Sequence, residues 1–104
     1  MNVLFVCNQN ENRSKTAQMI FKDIFNTKSA GLYNKIPINV SQVGWADTII
    51  VMEEEQRDEI ANRFPKEYLK KRILNLDIPD IFHFYNPKLI NILKLKMNEF
   101  AFLF

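Results

Sequence analysis

Apolar residues along the chain follow two alternating rhythms. Val3-Leu4-Phe5-Val6 and Thr48-Ile49-Ile50-Val51-Met52 are short unbroken runs rich in strand formers. Runs without polar alternation suit strands covered on both faces. Between Arg13 and Phe25, Ala17, Ile20 and Ile24 recur at three- and four-residue spacing, which predicts an amphipathic helix. Lys28-Ser29-Ala30 is a weaker strand signal ended by Gly31, and Leu32 to Val40, which holds Pro37, reads as a loop. Glu53 to Phe64 predicts a charged helix with Ile60 and Phe64 on its apolar side, broken by Pro65. Arg72-Ile73-Leu74-Asn75-Leu76 predicts a fourth strand, followed by Pro79 and a loop through His83 to Tyr85. Asn86 then caps a last helix with Pro87 at its first position. Its apolar stripe is Leu89, Leu93, Met97, Phe100 and Phe104. The terminal Phe100-Ala101-Phe102-Leu103-Phe104 is apolar enough to complete the core or to cover a self-association patch.

Strands alternating with helices are the rhythm of an α/β domain with a parallel sheet and helices on both faces. At 104 residues the chain is a single domain, 1–104. Ligands of such sheets sit at the carboxyl ends of the strands. That rule selects the turn after Val6, the stretch after Ser29 and the loop after Leu76.

Composition narrows the classes. Hydrophobic residues at 47% and charged residues at 25% describe a globular chain rather than a disordered one. Fourteen basic against twelve acidic side chains leave +2, too little for nucleic acid to be the main partner. The one cysteine, Cys7, excludes a disulfide framework and a cysteine-cluster zinc site. No apolar run approaches the ~20 residues of a membrane span. Met1-Asn2 leads straight into an apolar strand without a basic leader. The expectation is a cytoplasmic protein, monomeric or weakly dimeric, with no membrane partner, metal or cofactor.

The most chemically suggestive text is Cys7-Asn8-Gln9-Asn10-Glu11-Asn12-Arg13-Ser14, between the first strand and the first helix. A loop of this length can wrap so that successive backbone N–H groups point inward and cradle an anion. The helix N-terminus adds partial positive charge. Arg13 adds a planar fork for two oxygens of a tetrahedral oxyanion. The same field stabilises a thiolate, which makes Cys7 a nucleophile. Ser14 is placed to hydrogen-bond that sulfur. Together these parts suit phosphoryl transfer through a phosphocysteine without a metal. The bland alternative is a core cysteine with a surface arginine nearby.

On these residues the chain resembles the low-molecular-weight protein tyrosine phosphatases, whose signature is Cys, five residues, Arg and Ser after an N-terminal strand. More narrowly it is similar to shorter bacterial relatives predicted to be tyrosine phosphatases, which share the Gln9-Asn10 pair. The resemblance continues through Ser29-Ala30-Gly31, Trp45-Ala46-Asp47, Val51-Met52-Glu53 and Leu76-Asp77-Ile78-Pro79-Asp80. It implies a three-layer α/β/α sandwich on a four-stranded parallel sheet of order 2-1-3-4. It implies Cys7 as nucleophile, Arg13 as phosphoryl binder and Ser14 as support for the thiolate. Asn8, Gln9, Asn10, Glu11 and Asn12 would contact phosphate, and Asn10 would fix the loop through a hydrogen bond to Ser29. Tyr33, Phe82 and Tyr85 are the candidate aromatic walls for a phenyl ring. The implied partners are a phosphotyrosine protein or small aryl phosphate, with phosphate- or sulfate-type anions in the loop.

Ester hydrolysis needs an acid for the leaving oxygen and later a base for water. Asp80, after Ile78-Pro79, matches the family's aspartate in this loop. Asp77 is the runner-up, with a strand-end capping role as its structural explanation. Asn86-Pro87 could match the family's Asp-Pro, but an amide is no acid. The chain also departs from the larger family. Asn12 replaces a second cysteine, so no neighbouring disulfide can protect an oxidised Cys7. Glu11 stands where an apolar residue is usual and is expected to point outward. Lys15 replaces a proline. Trp45 is expected to pack a short helical turn on the sheet, and His83 to sit exposed on its loop. Competing readings are a reductase-like arsenate site, a phosphocarrier of similar fold, and a non-catalytic phosphate- or phosphoprotein-binding module.

Overall fold

The computed structural model describes residues 1–104. Its elements are β1 (Asn2–Cys7), α1 (Arg13–Ile20), β2 (Asn26–Gly31), α2 (Val40–Trp45), β3 (Thr48–Val51), α3 (Glu54–Arg63), α4 (Pro65–Tyr68), β4 (Arg72–Asn75) and α5 (Pro87–Glu99), followed by a 3-10 turn at Ala101–Leu103. The four strands form one parallel sheet of order β2-β1-β3-β4, the order the resemblance implies. The two apolar runs form the central pair, and the polar Asn26–Gly31 lies at the edge, where only Ala30 and Gly31 are buried.

Alternation along β1 builds two cores. Val3, Phe5 and Cys7 face α1 and α5, together with Ala17, Leu89, Leu93 and Met97. Leu4 and Val6 face the opposite layer, where Val43 of α2 and Ile60 of α3 cover the sheet. Every β1 residue from Val3 to Cys7 is buried, as expected of a strand sandwiched between helical layers. Asn86 accepts from the Lys88 N–H at 2.8 Å and Pro87 opens α5, so the expected cap is present. No helix is long and apolar enough to cross a membrane.

Several boundaries differ from the sequence reading. α1 stops at Ile20 rather than Phe25, because Phe21 turns inward to stack on Phe5, ring centroids 5.8 Å apart. The chain then reverses to begin β2, which leaves Ile24 70% exposed instead of on the helix stripe. Pro65 ends α3 but also opens the short α4, a position its fixed backbone suits. Trp45 ends α2 and packs partly buried, with the Lys28 ammonium 4.5 Å from its ring. The C-terminal segment divides: Phe100 and Leu103 pack against the core, Phe104 tilts on Phe25, and Phe102 is exposed.

Candidate active site

β1 delivers Cys7 to the carboxyl edge of the sheet, paired with Gly31 of β2. The next five residues form the loop and Arg13 opens α1. Asn10 adopts a left-handed backbone, φ 56°. Asparagine tolerates that conformation, and a left-handed residue in a turn helps aim successive N–H groups inward. The Asn10 N–H donates to Cys7 Sγ at 3.2 Å. Ser14 Oγ lies 2.9 Å from the same sulfur and 2.8 Å from Asn10 Oδ1. One hydroxyl proton cannot serve both acceptors. With a thiol, S–H donates to Ser14, which donates to Asn10. With a thiolate, Ser14 donates to sulfur and the Asn10 amide turns over to donate to Ser14. The same heavy atoms therefore hold either charge state.

Arg13 is buried, with 1% of its side chain exposed. One terminal nitrogen pairs with the Glu53 carboxylate and donates to the Ile78 carbonyl at 2.7 Å. Its Nε is buried without a hydrogen-bond partner and lies 3.7 Å from Asp80 Oδ1. An unsatisfied buried donor is costly unless a ligand completes it. Cys7, Gln9, Glu11, Asn12, Arg13 and Asp80 enclose a pocket of about 40 Å³. That is room for a few water-sized groups, the scale of a tetrahedral oxyanion.

The Asn10–Ser29 hydrogen bond is not formed. Ser29 on β2 instead donates to Gln18 of α1 at 2.5 Å, and Asn10 is held by Ser14. The shorter reach within the loop's own helix wins over the neighbouring strand. Glu11 is exposed, as expected, yet it also lines the pocket. Asn8 does not line the pocket, and its Oδ1 accepts from Gln56 Nε2 at 3.2 Å. The expected aromatic walls do not line the pocket. Tyr33 lies beside the loop through its N–H to the Asn8 carbonyl, but its ring carries the Arg63 guanidinium, 5.2 Å away. Phe82 packs half-buried against the core, because apolar contact there outweighs a solvent-facing position. Tyr85 is exposed and edge-on to Phe84. Asp77 lines a separate cleft with Glu53, Glu54 and Glu55, its backbone left-handed at φ 58° and its N–H on Asn75 Oδ1. Lys15 and His83 are exposed. No three His, Cys, Asp or Glu side chains cluster as a metal site.

The chain matches no protein-family model and no curated protein sequence. Solved structures match along nearly its whole length. Wzb from Vibrio vulnificus, in complex with benzylphosphonate, superposes with TM-score 0.80 at 15% identity, covering 99% of this chain and 98% of that one. The low-molecular-weight protein tyrosine phosphatase SP-PTP from Streptococcus pyogenes gives TM-score 0.79 at 15% identity, covering 98% and 91%. The fold is that of the low-molecular-weight protein tyrosine phosphatases. The YwlE arginine phosphatase from Geobacillus stearothermophilus is similar too, with TM-score 0.66 at 21% identity, covering 98% and 86%.

Three residues that support the loop between Cys7 and Arg13 went unassigned in the sequence. Glu53, at the head of α3, holds Arg13. Gln56 is buried, accepts from the Met52 and Glu53 N–H groups at 2.7 and 3.0 Å, and donates to Asn8. Thr16 donates to the Asn12 carbonyl at 2.6 Å and accepts from the Tyr85 N–H at 2.9 Å, which staples the loop after Asp80 to α1. Glu53 and Gln56 do carry a sequence signal: an acidic residue followed three positions later by Gln is a helix-start pattern.

Proposed function

We propose that the protein is a phosphatase working through a phosphocysteine on Cys7, with Arg13 binding the phosphoryl oxygens and Asp80 as general acid. The observation that carries this is the convergence of Cys7, the open Nε of Arg13 and the Asp80 carboxylate on one oxyanion-sized pocket. Phosphotyrosine or another aryl phosphate in a protein is the substrate class implied by the resemblance, and tyrosine and arginine phosphatases among the structural neighbours support the reaction class.

In the first step Cys7 Sγ attacks phosphorus in line. The S–P bond forms, the ester P–O bond breaks, and the departing oxygen keeps the electron pair and takes a proton from Asp80. In the second step the Asp80 carboxylate removes a proton from water, the water oxygen attacks phosphorus, and the S–P pair returns to sulfur. The Asn10 N–H and Ser14 hydroxyl receive the regenerated thiolate. Positioned amides and a guanidinium supply the transition-state charge stabilisation, so the scheme calls on no metal. A nucleophilic thiolate suits a reducing compartment such as the cytoplasm.

The test is hydrolysis of p-nitrophenyl phosphate in the presence of a chelator, with vanadate as inhibitor. Turnover is expected, and Cys7→Ser abolishes it. Asp80→Asn lowers kcat by roughly 10²-fold while leaving phosphate inhibition nearly unchanged. Undiminished turnover in Asp80→Asn assigns the acid to Asp77 instead. Phosphate binding without turnover in the parent protein overturns the enzyme reading in favour of a binding module.

A further inference from the structure

Asp80 lines the pocket beside Cys7, yet little holds its side chain there. That side chain is 55% exposed, and its one ionic contact is Arg13 Nε at 3.7 Å. It sits in the stretch 76–86 between β4 and α5, which contains no helix or strand. The reach of an acid on such a stretch depends on where its flanks are tied. Before Asp80, Ile78 is sealed: its N–H donates to the Met52 carbonyl at 2.8 Å, and its carbonyl accepts from Arg13 at 2.7 Å. After Asp80, Phe82 packs half-buried against the core, a contact without direction. The directional tie on that side is the Tyr85 N–H, which donates to Thr16 Oγ1 at 2.9 Å. Arg13 and Thr16 both belong to the first turn of α1, so one helical turn grips the acid's stretch on either side of Asp80.

Thr16 is fully buried, and its hydroxyl works in two directions. It donates to the carbonyl of Asn12, a pocket-lining residue of the loop that begins at Cys7. With its one proton committed there, its lone pairs accept from Tyr85. A single hydroxyl thus joins the nucleophile's loop to the acid's stretch. Tyr85 has a left-handed backbone, φ 61°, which a bulky side chain keeps only where its surroundings hold it. We propose that Thr16 is a positioning residue for the proton donor: its hydroxyl fixes the Asp80 stretch against the Cys7 loop, and the reaction feels it only through Asp80. The proposal rests on the phosphatase reading and adds a residue to it. The step concerned is departure of the ester oxygen, which keeps the electron pair of its broken bond to phosphorus and takes the Asp80 proton while Cys7 Sγ accepts the phosphoryl group. With Asp80 displaced, that oxygen must leave unprotonated. A phenol like that of tyrosine resists this, and an acidic dinitrophenol does not.

The experiment measures kcat/KM for phenyl phosphate and for dinitrophenyl phosphate, with the phosphate inhibition constant beside them. Thr16→Val keeps the side-chain shape and removes the hydroxyl. It is expected to lower kcat/KM for phenyl phosphate about tenfold. The dinitrophenyl ester should lose less than about twofold, and phosphate inhibition should hold. Thr16→Ser restores the hydroxyl and is expected to recover phenyl phosphate turnover. Added to Asp80→Asn, Thr16→Val is expected to cost nothing further, because its effect passes through the missing acid. Thr16→Ala carries the same comparisons if Thr16→Val does not fold. Equal losses for both esters, weakened phosphate inhibition, no recovery in Thr16→Ser, or a full further loss on top of Asp80→Asn would each overturn the proposal and leave the phosphatase reading standing. No turnover of either ester by the parent protein would overturn the phosphatase reading, and this proposal with it.

Discussion

Arg13 at the start of α1 and Glu53 at the head of α3 form an ion pair in which the guanidinium is sealed and the carboxylate is one-third exposed. The pair holds one terminal nitrogen of Arg13, which also donates to the Ile78 carbonyl, while Nε, 3.7 Å from Asp80 Oδ1, has no hydrogen-bond partner. It also subtracts from the positive field that an incoming anion feels. Glu53→Gln keeps a hydrogen-bond acceptor and removes the charge. Inorganic phosphate is then expected to inhibit about three- to tenfold more tightly, with kcat no higher than in the parent. Glu53→Ala removes the hold altogether and leaves a buried guanidinium without its partner. We expect a loss of about 2 kcal/mol, below the usual cost for a sealed pair because Glu53 still reaches solvent. Phosphate titration and urea unfolding check the two outcomes. An unchanged inhibition constant in Glu53→Gln would show that the pair does not couple to the pocket.

α5 is held to the sheet by Leu89, Leu93 and Met97, all within the core that also contains Cys7. Leu93 is fully buried, so Leu93→Ala creates a cavity within the core that also contains Cys7. A loss of about 3 kcal/mol is expected in denaturant unfolding. The remaining folded protein should retain most of its catalytic constants, because Leu93 does not line the pocket that Cys7, Arg13 and Asp80 share. A loss under 1 kcal/mol would mean that α5 collapses onto the gap or contributes little to the core.

Much of the fold was legible because it is written in adjacent residues. Val3 to Val6 and Ile49 to Val51 are apolar in unbroken runs because both faces of the central strands are covered. The weak signal of Lys28-Ser29-Ala30 has the opposite cause: β2 is an edge strand and buries only Ala30 and Gly31. The loop from Cys7 to Ser14 was legible as a contiguous motif, and Asp80 lines its pocket. What escaped was the tertiary hydrogen bonding. Ser29 pairs with Gln18 rather than Asn10, and Phe82 turns to the core. Each choice depends on where an element packs, which no local pattern states.

Gln56 is the clearest of these hidden contacts. Its side chain carbonyl satisfies two backbone N–H groups at the end of β3, and its amide reaches Asn8 in the loop. Gln56→Met fills the same volume and strands both donors in a buried position. A destabilisation of about 2–4 kcal/mol is expected, measured by urea unfolding. Because Asn8 loses its tether, kcat should fall severalfold more than phosphate affinity does. If stability drops while kcat/KM for p-nitrophenyl phosphate holds, Gln56 supports the β3–α3 turn and not the loop.

Gly31 makes a different demand, one of space. A Cβ placed there would stand 2.8 Å from Asn34 Cγ and 3.0 Å from the Asn8 carbonyl oxygen. The asparagine side chain can swing aside, but the second atom belongs to the backbone of the loop between Cys7 and Arg13. Gly31→Ala should therefore push the loop by a few tenths of an ångström, enough to disturb an in-line attack. We expect kcat/KM for p-nitrophenyl phosphate to fall about tenfold, with a stability loss of about 1–2 kcal/mol. Pairing it with Asn34→Ala separates the two clashes. If the double variant recovers full activity, Asn34 was the obstruction and the loop backbone has room to spare. If activity stays low, the close approach of β2 to Asn8 is what holds the loop in its working shape.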